Sequence, residues 1–323
     1  MRIAEARFET VRPGRYAAID IGTVTCRMLV ADVDSAGKLH ELDHEYAIAN
    51  LGEGVDATGM LKPEAIARVA DIVEGYCAVR DSFAAPDAPV TTIAVATSAS
   101  RDASNAADFV AALKRLGVRL TVVPGQHEAA LSFLGASCDF ADEDLAVVDI
   151  GGGSTEVVFG RGGAKPAWSH SFDIGCRRVT EKFIHSDPPS DADLDAARAW
   201  IRQGFMDVLS CAPGAGRGIG RMVAVAGTAT TVVAVRDGLK VYDSSRVHKQ
   251  CVTREDLDGV FDMLASVDVE ARGRVAGLDP GRAPVIVAGL VIMQTLMDVM
   301  GADAFTVSES DILQGIILDA SRK

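Results

Sequence analysis

The chain has 323 residues, enough for about two domains, and 48% of its residues are hydrophobic, so each domain can bury a sizeable core. Its formal net charge of -13 gives a surface that repels polyanions unless basic groups are clustered, which disfavours a general nucleic-acid binder. The six cysteines form no CxxC pair, and no stretch has the pattern of a signal peptide or a membrane span. We therefore expect a cytoplasmic protein that binds neither nucleic acid nor membrane.

The first predicted element is a hairpin of two strands joined by a tight turn. The mainly apolar run 18–21 leads into Gly22 and Thr23, and a second mainly apolar run follows at 27–31. Two apolar runs around a short turn are typical of a β-hairpin. The hydroxyls of Thr23 and Thr25 are suitable hydrogen-bond donors to an anion on such a turn.

The segment after this hairpin predicts alternating helices and strands. Pro63 is favoured as a first helical residue, and apolar residues recur at helical spacing after it. A strand is predicted at 92–97, a helix at 105–116, a strand at 118–123 and a helix at 128–134. Strands that alternate with helices predict an α/β fold.

A second hairpin follows 129 residues after the first, where Asp149 repeats the place of Asp20. A helix at 193–209, a strand at 222–226 and further helices then repeat the alternation. The glycine-rich segment 213–220 precedes a strand instead of following one, so we interpret it as a plain loop. The duplicated hairpin predicts two similar domains, with coincidence as the alternative, because the shared turn sequence is short.

The turn of the second hairpin carries the strongest local signal for function. Gly151, Gly152 and Gly153 at a strand end let consecutive backbone N–H groups converge on an anion, and the hydroxyls of Ser154 and Thr155 add donors. We interpret this turn as a phosphate cradle. An ordinary hairpin turn is the structural alternative.

Three acidic residues are candidates for catalysis. Asp149, at a strand end, is placed to hold a divalent cation directly or through water. Glu128 begins a helix, where it either caps that helix or acts as a general base that orients water toward phosphorus. Glu156 is either a second acid beside the metal or an ordinary acid at the start of a strand.

Two further segments have a strand that leads into a helix through small polar residues. One contains Ser98 and Arg101, and the other begins with Gly227 and Thr228. These residues either contact phosphate or form ordinary helix caps and surface ion pairs. The chain has no HExxH, GxxxxGK[ST] or GxSxG sequence, which argues against a zinc hydrolase, a Walker-type nucleotide hydrolase and a serine hydrolase.

The order of these motifs is similar to that of one known family. The segments that match it are 20–22, 51–54, 96–99, 125–129, 149–156, 175–180, 227–231, 277–283 and 306–308. Over nearly the whole chain they resemble the exopolyphosphatase/guanosine pentaphosphate phosphohydrolase (Ppx/GppA) family in its short form.

This resemblance implies an α/β fold of the actin-like superfamily of sugar kinases, Hsp70 and actin, with two RNase H-like domains around a central cleft. We expect the first domain at 1–124 and the second at 125–323, with the last helix, about 312–321, packed back on the first domain. The resemblance also implies a homodimer that removes the terminal phosphate from inorganic polyphosphate, or from the guanosine pentaphosphate of the stringent response, with Mg²⁺.

The resemblance assigns roles to residues by their place in the motifs. Glu128 matches the catalytic base, while Asp149 and Glu156 match the acids that hold metal and water. The residues that fall on phosphate-contacting loops are Thr23, Arg27, Ser98, Arg101, Gly152, Ser154, Gly227 and Thr228. Because the net charge is negative, capture of a polyanion needs a local basic patch, for which the candidates are Arg177, Arg178, Lys182 and Arg282.

The chain departs from the family pattern at Val24, which affects the substrate contacts of the first hairpin turn, and at His127, which affects the pKa of Glu128. The departures at Asn50 and Ala226 affect substrate preference more than reaction type. An exopolyphosphatase is the leading function, and a guanosine pentaphosphatase is the alternative. An ATP-dependent kinase of the same superfamily and a non-catalytic alarmone or polyphosphate-binding regulator also stay open. The retained Glu128 favours water activation over a kinase, and the three intact carboxylates favour an enzyme over a regulator.

Overall fold

Two β-sheets, each covered by helices, dominate the structure. The computed structural model describes residues 11–86, 88–212 and 220–322, so the predicted glycine-rich loop at 213–220 lies outside them apart from Gly220. Strands alternate with helices along the described chain, as the hydrophobic pattern predicts.

The first sheet is built from the hairpin at the start of the described chain and three later strands. Its strands are β1 (Gly14–Ile21), β2 (Thr25–Val33), β3 (Leu39–Ile48), β4 (Val90–Ala96) and β5 (Leu120–Val122). Their spatial order is β3-β2-β1-β4-β5, with β1 antiparallel to β2 and parallel to β4. The helices in this part of the chain are α1 (Val55–Thr58), α2 (Pro63–Ser82), α3 (Ser98–Asp102) and α4 (Ala106–Arg115).

The second sheet repeats this topology. Its strands are β6 (Asp144–Ile150), β7 (Thr155–Arg161), β8 (Trp168–Phe172), β9 (Arg221–Val225), β10 (Cys251–Thr253) and β11 (Ala304–Val307). The order β8-β7-β6-β9-β11 repeats the first sheet strand for strand, with the same parallel and antiparallel pairs, and β10 adds an antiparallel edge. Duplication of the hairpin therefore extends to the whole sheet.

Nine further helices follow α4 in the described chain. They are α5 (Gly125–Ser137), α6 (Cys176–Phe183), α7 (Asp191–Leu209), α8 (Ala226–Arg236), α9 (Ser244–Val247), α10 (Arg254–Ala265), α11 (Val269–Arg272), α12 (Ile286–Met300) and α13 (Ile312–Ser321). A short 3-10 helix spans Pro280–Arg282. In the part of the chain that the structure describes, no helix has the length and apolar character needed to cross a membrane.

Both faces of each sheet bury apolar side chains. The first sheet packs on α2 and α4 on one face, with Phe109 fully buried, and on α13 on the other, with Leu313 fully buried. The second sheet packs on α7, α8, α10 and α12 on one face and on α5, through Phe133, on the other. These cores hold the strand ends rigidly, so the loops that follow them are well placed for a site.

Helices α5 and α13 cross at two glycines. A Cβ atom on Gly135 would overlap the carbonyl oxygen of Asp311, and one on Gly315 would overlap the carbonyl oxygen of Leu131. Through this crossing, α13 covers a face of the first sheet while α5 covers a face of the second. The predicted domain boundary at residue 124 stays a prediction.

Candidate active site

The two hairpin turns face each other across a cleft. A Cβ atom on Gly152 would lie 2.8 Å from the Cβ of Thr23, and one on Gly153 would lie 2.9 Å from its Oγ1, so only glycine permits this approach. A cavity of about 60 Å³, which we call the cleft cavity, lies between the turns. The carboxyl ends of β1, β4, β6 and β9 lead to its walls.

Ten of the predicted site residues line the cleft cavity. They are Thr23, Arg27, Ser98, Glu128, Asp149, Gly151, Gly152, Gly153, Ser154 and Gly227. The topology explains this convergence, because parallel neighbouring strands end at the same edge of a sheet and the two sheets present those edges to each other.

The other predicted site residues are not among those that line the cleft cavity. The hydroxyl of Thr155 donates to the carbonyl of Ile174 (2.5 Å), and that of Thr228 donates to the carbonyl of Ile150 (3.4 Å). These hydroxyls hold the cradle and the start of α8 in place. The residues of this group are Arg101, Thr155, Glu156 and Thr228.

The cradle turn presents amide groups to the cleft. The N–H of Gly151 donates to the carbonyl of Ser154 (3.0 Å) and closes the turn. The carbonyl of Gly152 accepts from the backbone N–H of Arg177 (2.9 Å), which turns this oxygen toward α6. Within the described residues, the N–H groups of Gly152 and Gly153 have no backbone acceptor, as an anion-binding turn requires.

Glu128 enters the cleft from the first turn of α5, where its residue is only 8% exposed. Its Oε2 accepts a hydrogen bond from the guanidinium of Arg101 (2.5 Å), which also donates to the carbonyl of Val123 (3.1 Å). Burial raises the pKa of Glu128 to about 7, although the charge of Arg101 opposes the shift. A carboxyl with this pKa can accept a proton from water near neutral pH.

Asp149 and Glu156 are directly opposite each other on β6 and β7. The hydroxyl of Ser132 donates to Asp149 (2.7 Å), and that of Ser171 donates to Glu156 (2.6 Å). Burial raises the pKa of Asp149 to about 6. Burial, together with the nearby charges of Glu128 and Asp149, raises the pKa of Glu156 well above its usual range.

Sequence reasoning missed Asp20 as a site residue. It pairs with Arg27 across the first hairpin as Asp149 pairs with Glu156 across the second, so the duplication itself was the available signal. Asp20 Oδ1 is buried and has no hydrogen-bond partner among the described residues, and the same holds for the hydroxyl of Ser98. Buried polar atoms without partners are expected where a ligand or water binds.

The acidic residues fit a Mg²⁺ ion that is bound together with phosphate. Across residues 11–86, 88–212 and 220–322, no three or more acidic, histidine or cysteine side chains form an all-protein metal site. Mg²⁺ commonly takes one or two carboxylates and fills its other positions with water and phosphate oxygens. Asp149 and the unpaired oxygen of Asp20 fit this description and line the cleft cavity, whereas Glu156 is not among its lining residues and accepts a hydrogen bond from Ser171.

A larger cavity of about 590 Å³ adjoins the cleft cavity, and we call it the outer cavity. The two cavities share a boundary lined by Arg27, Ala226, Gly227 and Arg282. Beyond it, the outer cavity is lined by a mixed set of aromatic, apolar and charged side chains that includes Tyr46, Tyr242, Leu278, Lys240, Asp279 and Asp311. Its volume is in the range of small-molecule sites.

The residues of the predicted basic patch do not all face the site: some make contacts within the protein, and Arg282 lines the cavities. Arg178 donates to the carbonyl of Gly153 (3.0 Å) and pairs with Asp102 (2.5 Å). Lys182 lies over the ring of Trp200, 4.8 Å from its centroid. Arg282 is the member of this set that lines both cavities.

The repeated sheets and the cleft between them define an α/β protein of the actin-like fold. The chain belongs to the Ppx/GppA phosphatase family, whose model matches residues 29–323. This finding confirms the predicted family, the predicted fold class and the prediction of a phosphoanhydride-hydrolysing enzyme.

Individual relatives support the assignment over nearly the full length. Exopolyphosphatase 2 of Mycobacterium tuberculosis is 38% identical over 320 residues, which cover 94% of this chain and 98% of that protein. The crystal structure of an exopolyphosphatase-like protein matches with a TM-score of 0.88 at 32% identity and covers 96% of this chain and 98% of its own. The crystal structure of the Aquifex aeolicus family member matches with a TM-score of 0.78 at 28% identity and covers 96% of this chain and 98% of its own.

Proposed function

We propose that the protein is an exopolyphosphatase that hydrolyses the terminal phosphate of inorganic polyphosphate with Mg²⁺. In this proposal the cradle and Ser98 hold the terminal phosphoryl group in the cleft cavity. Glu128 orients a water molecule in line with the bond to be broken and accepts its proton, and the shortened chain leaves as an anion.

The observation that carries this proposal is the place of Glu128 in the cleft cavity. Its carboxyl lines the same small cavity as the cradle glycines, and burial brings its pKa to about 7. A volume of about 60 Å³ has room for one phosphoryl group and a water molecule, but not for a nucleoside. The geometry therefore favours transfer of a terminal phosphoryl group to water.

Mg²⁺ would be held by Asp149 and Asp20. When bound, it would neutralise charge on the phosphate oxygens and help to orient them. The hydroxyl of Ser132 fixes the orientation of the Asp149 carboxylate through their 2.7 Å hydrogen bond. Glu156 is the partner of Asp149 on the neighbouring strand β7, and it accepts a hydrogen bond from Ser171. Both residues support the position of Asp149.

The outer cavity favours guanosine pentaphosphate as a second candidate substrate. Its volume of about 590 Å³ exceeds what a single-file phosphate chain needs. The exposed ring of Tyr242 offers a face for a base, whereas the guanidinium of Arg282 lies over the ring of Tyr46. Carboxylates such as Asp279 can accept hydrogen bonds from the N–H groups of a base. A nucleotide with its terminal phosphate in the cleft cavity would place its nucleoside in the outer cavity.

A cytoplasmic location and a homodimer are further parts of the proposal.

The decisive experiment measures phosphate release with Mg²⁺ from short polyphosphate, long polyphosphate, guanosine pentaphosphate and ATP. The Glu128→Gln variant keeps the size of the side chain but removes the base, so we expect turnover to fall by at least about a hundredfold. The matched control is Glu64→Gln on the exposed side of α2, which should leave turnover unchanged.

Each outcome of this assay has a clear meaning. Turnover of polyphosphate that requires Glu128 supports the exopolyphosphatase, and preferential turnover of guanosine pentaphosphate supports the second candidate. Tight binding of these compounds without turnover would instead identify a regulator. Hydrolysis that persists in the Glu128→Gln protein would overturn the role of this residue.

A further inference from the structure

Arg27 lies between two buried aspartates at the boundary of the cleft cavity and the outer cavity. One terminal nitrogen of its guanidinium donates to Asp20 (2.7 Å), and the other donates to Asp311. Asp20 lines the cleft cavity and Asp311 lines the outer cavity, so a carboxylate stands on each side of the arginine. The Nε of Arg27 is buried and has no partner in the part of the chain described by the structure.

Asp311 is held in this orientation by the start of α13. Its Oδ1 accepts a hydrogen bond from the N–H of Leu313 (3.0 Å), and its own N–H donates to Oε1 of Gln314 (2.8 Å). The Gln314 side chain in turn donates to Glu41 on β3 (2.8 Å). These bonds fix one carboxylate oxygen as a helix cap and leave the other for Arg27.

The charges of this group reduce the attraction that Arg27 can offer to an anion. With both carboxylates ionised, Asp20, Arg27 and Asp311 together carry one net negative charge. A guanidinium that is already paired on both sides forms weaker contacts with a phosphate than a free one. At the same boundary, Arg282 has no ion pair with a described carboxylate, and its Nε donates to the hydroxyl of Tyr46 (3.0 Å).

We propose that Asp311 is a specificity-determining residue that withholds Arg27 from a phosphate chain where it passes from the cleft cavity into the outer cavity. The inference rests on the proposed function, because it assumes that the terminal phosphate lies in the cradle. The second phosphate of the substrate then lies at the boundary. Asp311 weakens binding of that phosphate and leaves the terminal one unaffected.

The test measures binding in a protein that does not turn over. In the Glu128→Gln background, we would titrate tripolyphosphate and orthophosphate by calorimetry in the presence of Mg²⁺, with and without Asp311→Asn. The asparagine keeps an oxygen that can accept from Leu313, so the cap of α13 is retained. We expect tripolyphosphate to bind about tenfold more tightly and orthophosphate to bind unchanged, since one charge-assisted hydrogen bond is gained.

A second variant and a control keep the test decisive. Asp311→Ser also caps a helix and removes the carboxylate, so it replaces Asp311→Asn if that protein does not fold. Asp262→Asn removes the same charge from an exposed part of α10 and should leave both affinities unchanged.

Two results would overturn the inference: unchanged or weaker binding of tripolyphosphate in a folded variant, or equal tightening of orthophosphate. Failure of the proposed function is distinguishable, because it is the absence of turnover in the native protein. The binding comparison does not depend on turnover.

Discussion

Glu128 links the chemistry of the cleft to pH. Its pKa is raised to about 7 because burial disfavours the charged form more than the Arg101 guanidinium favours it. Only the ionised form can accept a proton from water. We therefore expect kcat/KM to rise with pH through about 7 and to level off above it. Steady-state assays between pH 5 and pH 9 would measure this profile.

A matched variant tests whether the pH profile reports the titration of Glu128 and not that of Glu156. Ser171→Ala removes the hydrogen bond to Glu156, 2.6 Å long, but leaves the contacts of Glu128 intact, so the midpoint near pH 7 should stay in place. A profile that falls as the pH rises from 5 to 7 would contradict the role of Glu128 as a base.

The site residues that sequence reasoning identified are those with a local signal. Gly151, Gly152 and Gly153 follow a strand directly, and Glu128 follows a strand-ending Pro-Gly pair. The contact between Arg27 and Asp311 joins residues 284 apart in sequence, so no local pattern could predict it. Such contacts depend on the path of the whole chain.

Helix α6 connects the cradle to the loops of the first sheet. Arg178 donates to the carbonyl of Gly153 (3.0 Å) and pairs with Asp102 (2.5 Å) and with Asp56. The preceding Arg177 donates to the side chain of Asn50. One short helix thus holds the cradle turn against α1 and α3.

These contacts predict the effect of changing Arg178. We expect Arg178→Lys to lower kcat/KM by about tenfold, because a lysine keeps the charge but cannot reach three acceptors at once. Steady-state assays of phosphate release would measure this effect. Arg274→Lys is the control, since the side chain of Arg274 is 71% exposed and, among the described residues, its one ion pair is with Glu270 on α11. Equal activity of the two variants would show that α6 does not position the cradle.

The lengths of the elements explain which of them could be predicted. Helix α2 begins at Pro63 and α7 ends at Leu209, as the hydrophobic spacing indicates over long segments. Helix α5 begins at Gly125 and not at the predicted residue 128, because Pro124 serves as its N-cap and the following glycine is helical. Helices α1 and α3 have only four and five residues, too few to show a helical period.

The two halves of the molecule meet through residues without side-chain bulk. A Cβ atom on Gly152 would lie 2.7 Å from Cγ2 of Val24 and 2.8 Å from Cβ of Thr23. We expect Gly152→Ala to push the two hairpin turns apart, increase the radius of gyration in small-angle scattering and lower turnover by at least about tenfold.

The control for this change is Gly75→Ala. A Cβ atom at Gly75, inside α2, would have no neighbour within 4 Å, and alanine favours a helix over glycine by about 1 kcal/mol. This variant should keep native activity and gain stability. If Gly152→Ala also keeps native activity and dimensions, then the close approach of the turns is not needed for function.

At the scale of the whole molecule, two similar turn sequences predicted a duplication that the strand order shows in full. The sequence shows the departure at Ala226, but only the structure shows that this residue takes a left-handed backbone conformation (φ 63°), which a glycine would adopt without strain. Backbone conformation at a single position follows from the surrounding packing and not from local sequence.

The crossing of α5 and α13 also bears on how the protein is made. Residues Tyr16, Ala18 and Leu29 on the first sheet bury their side chains against α13, which follows them by nearly three hundred residues. During synthesis on the ribosome, this face of the first sheet stays uncovered until residues 312–321 have emerged. A chaperone that binds apolar surface would therefore meet the nascent chain at this face, and its release would coincide with the docking of the last helix.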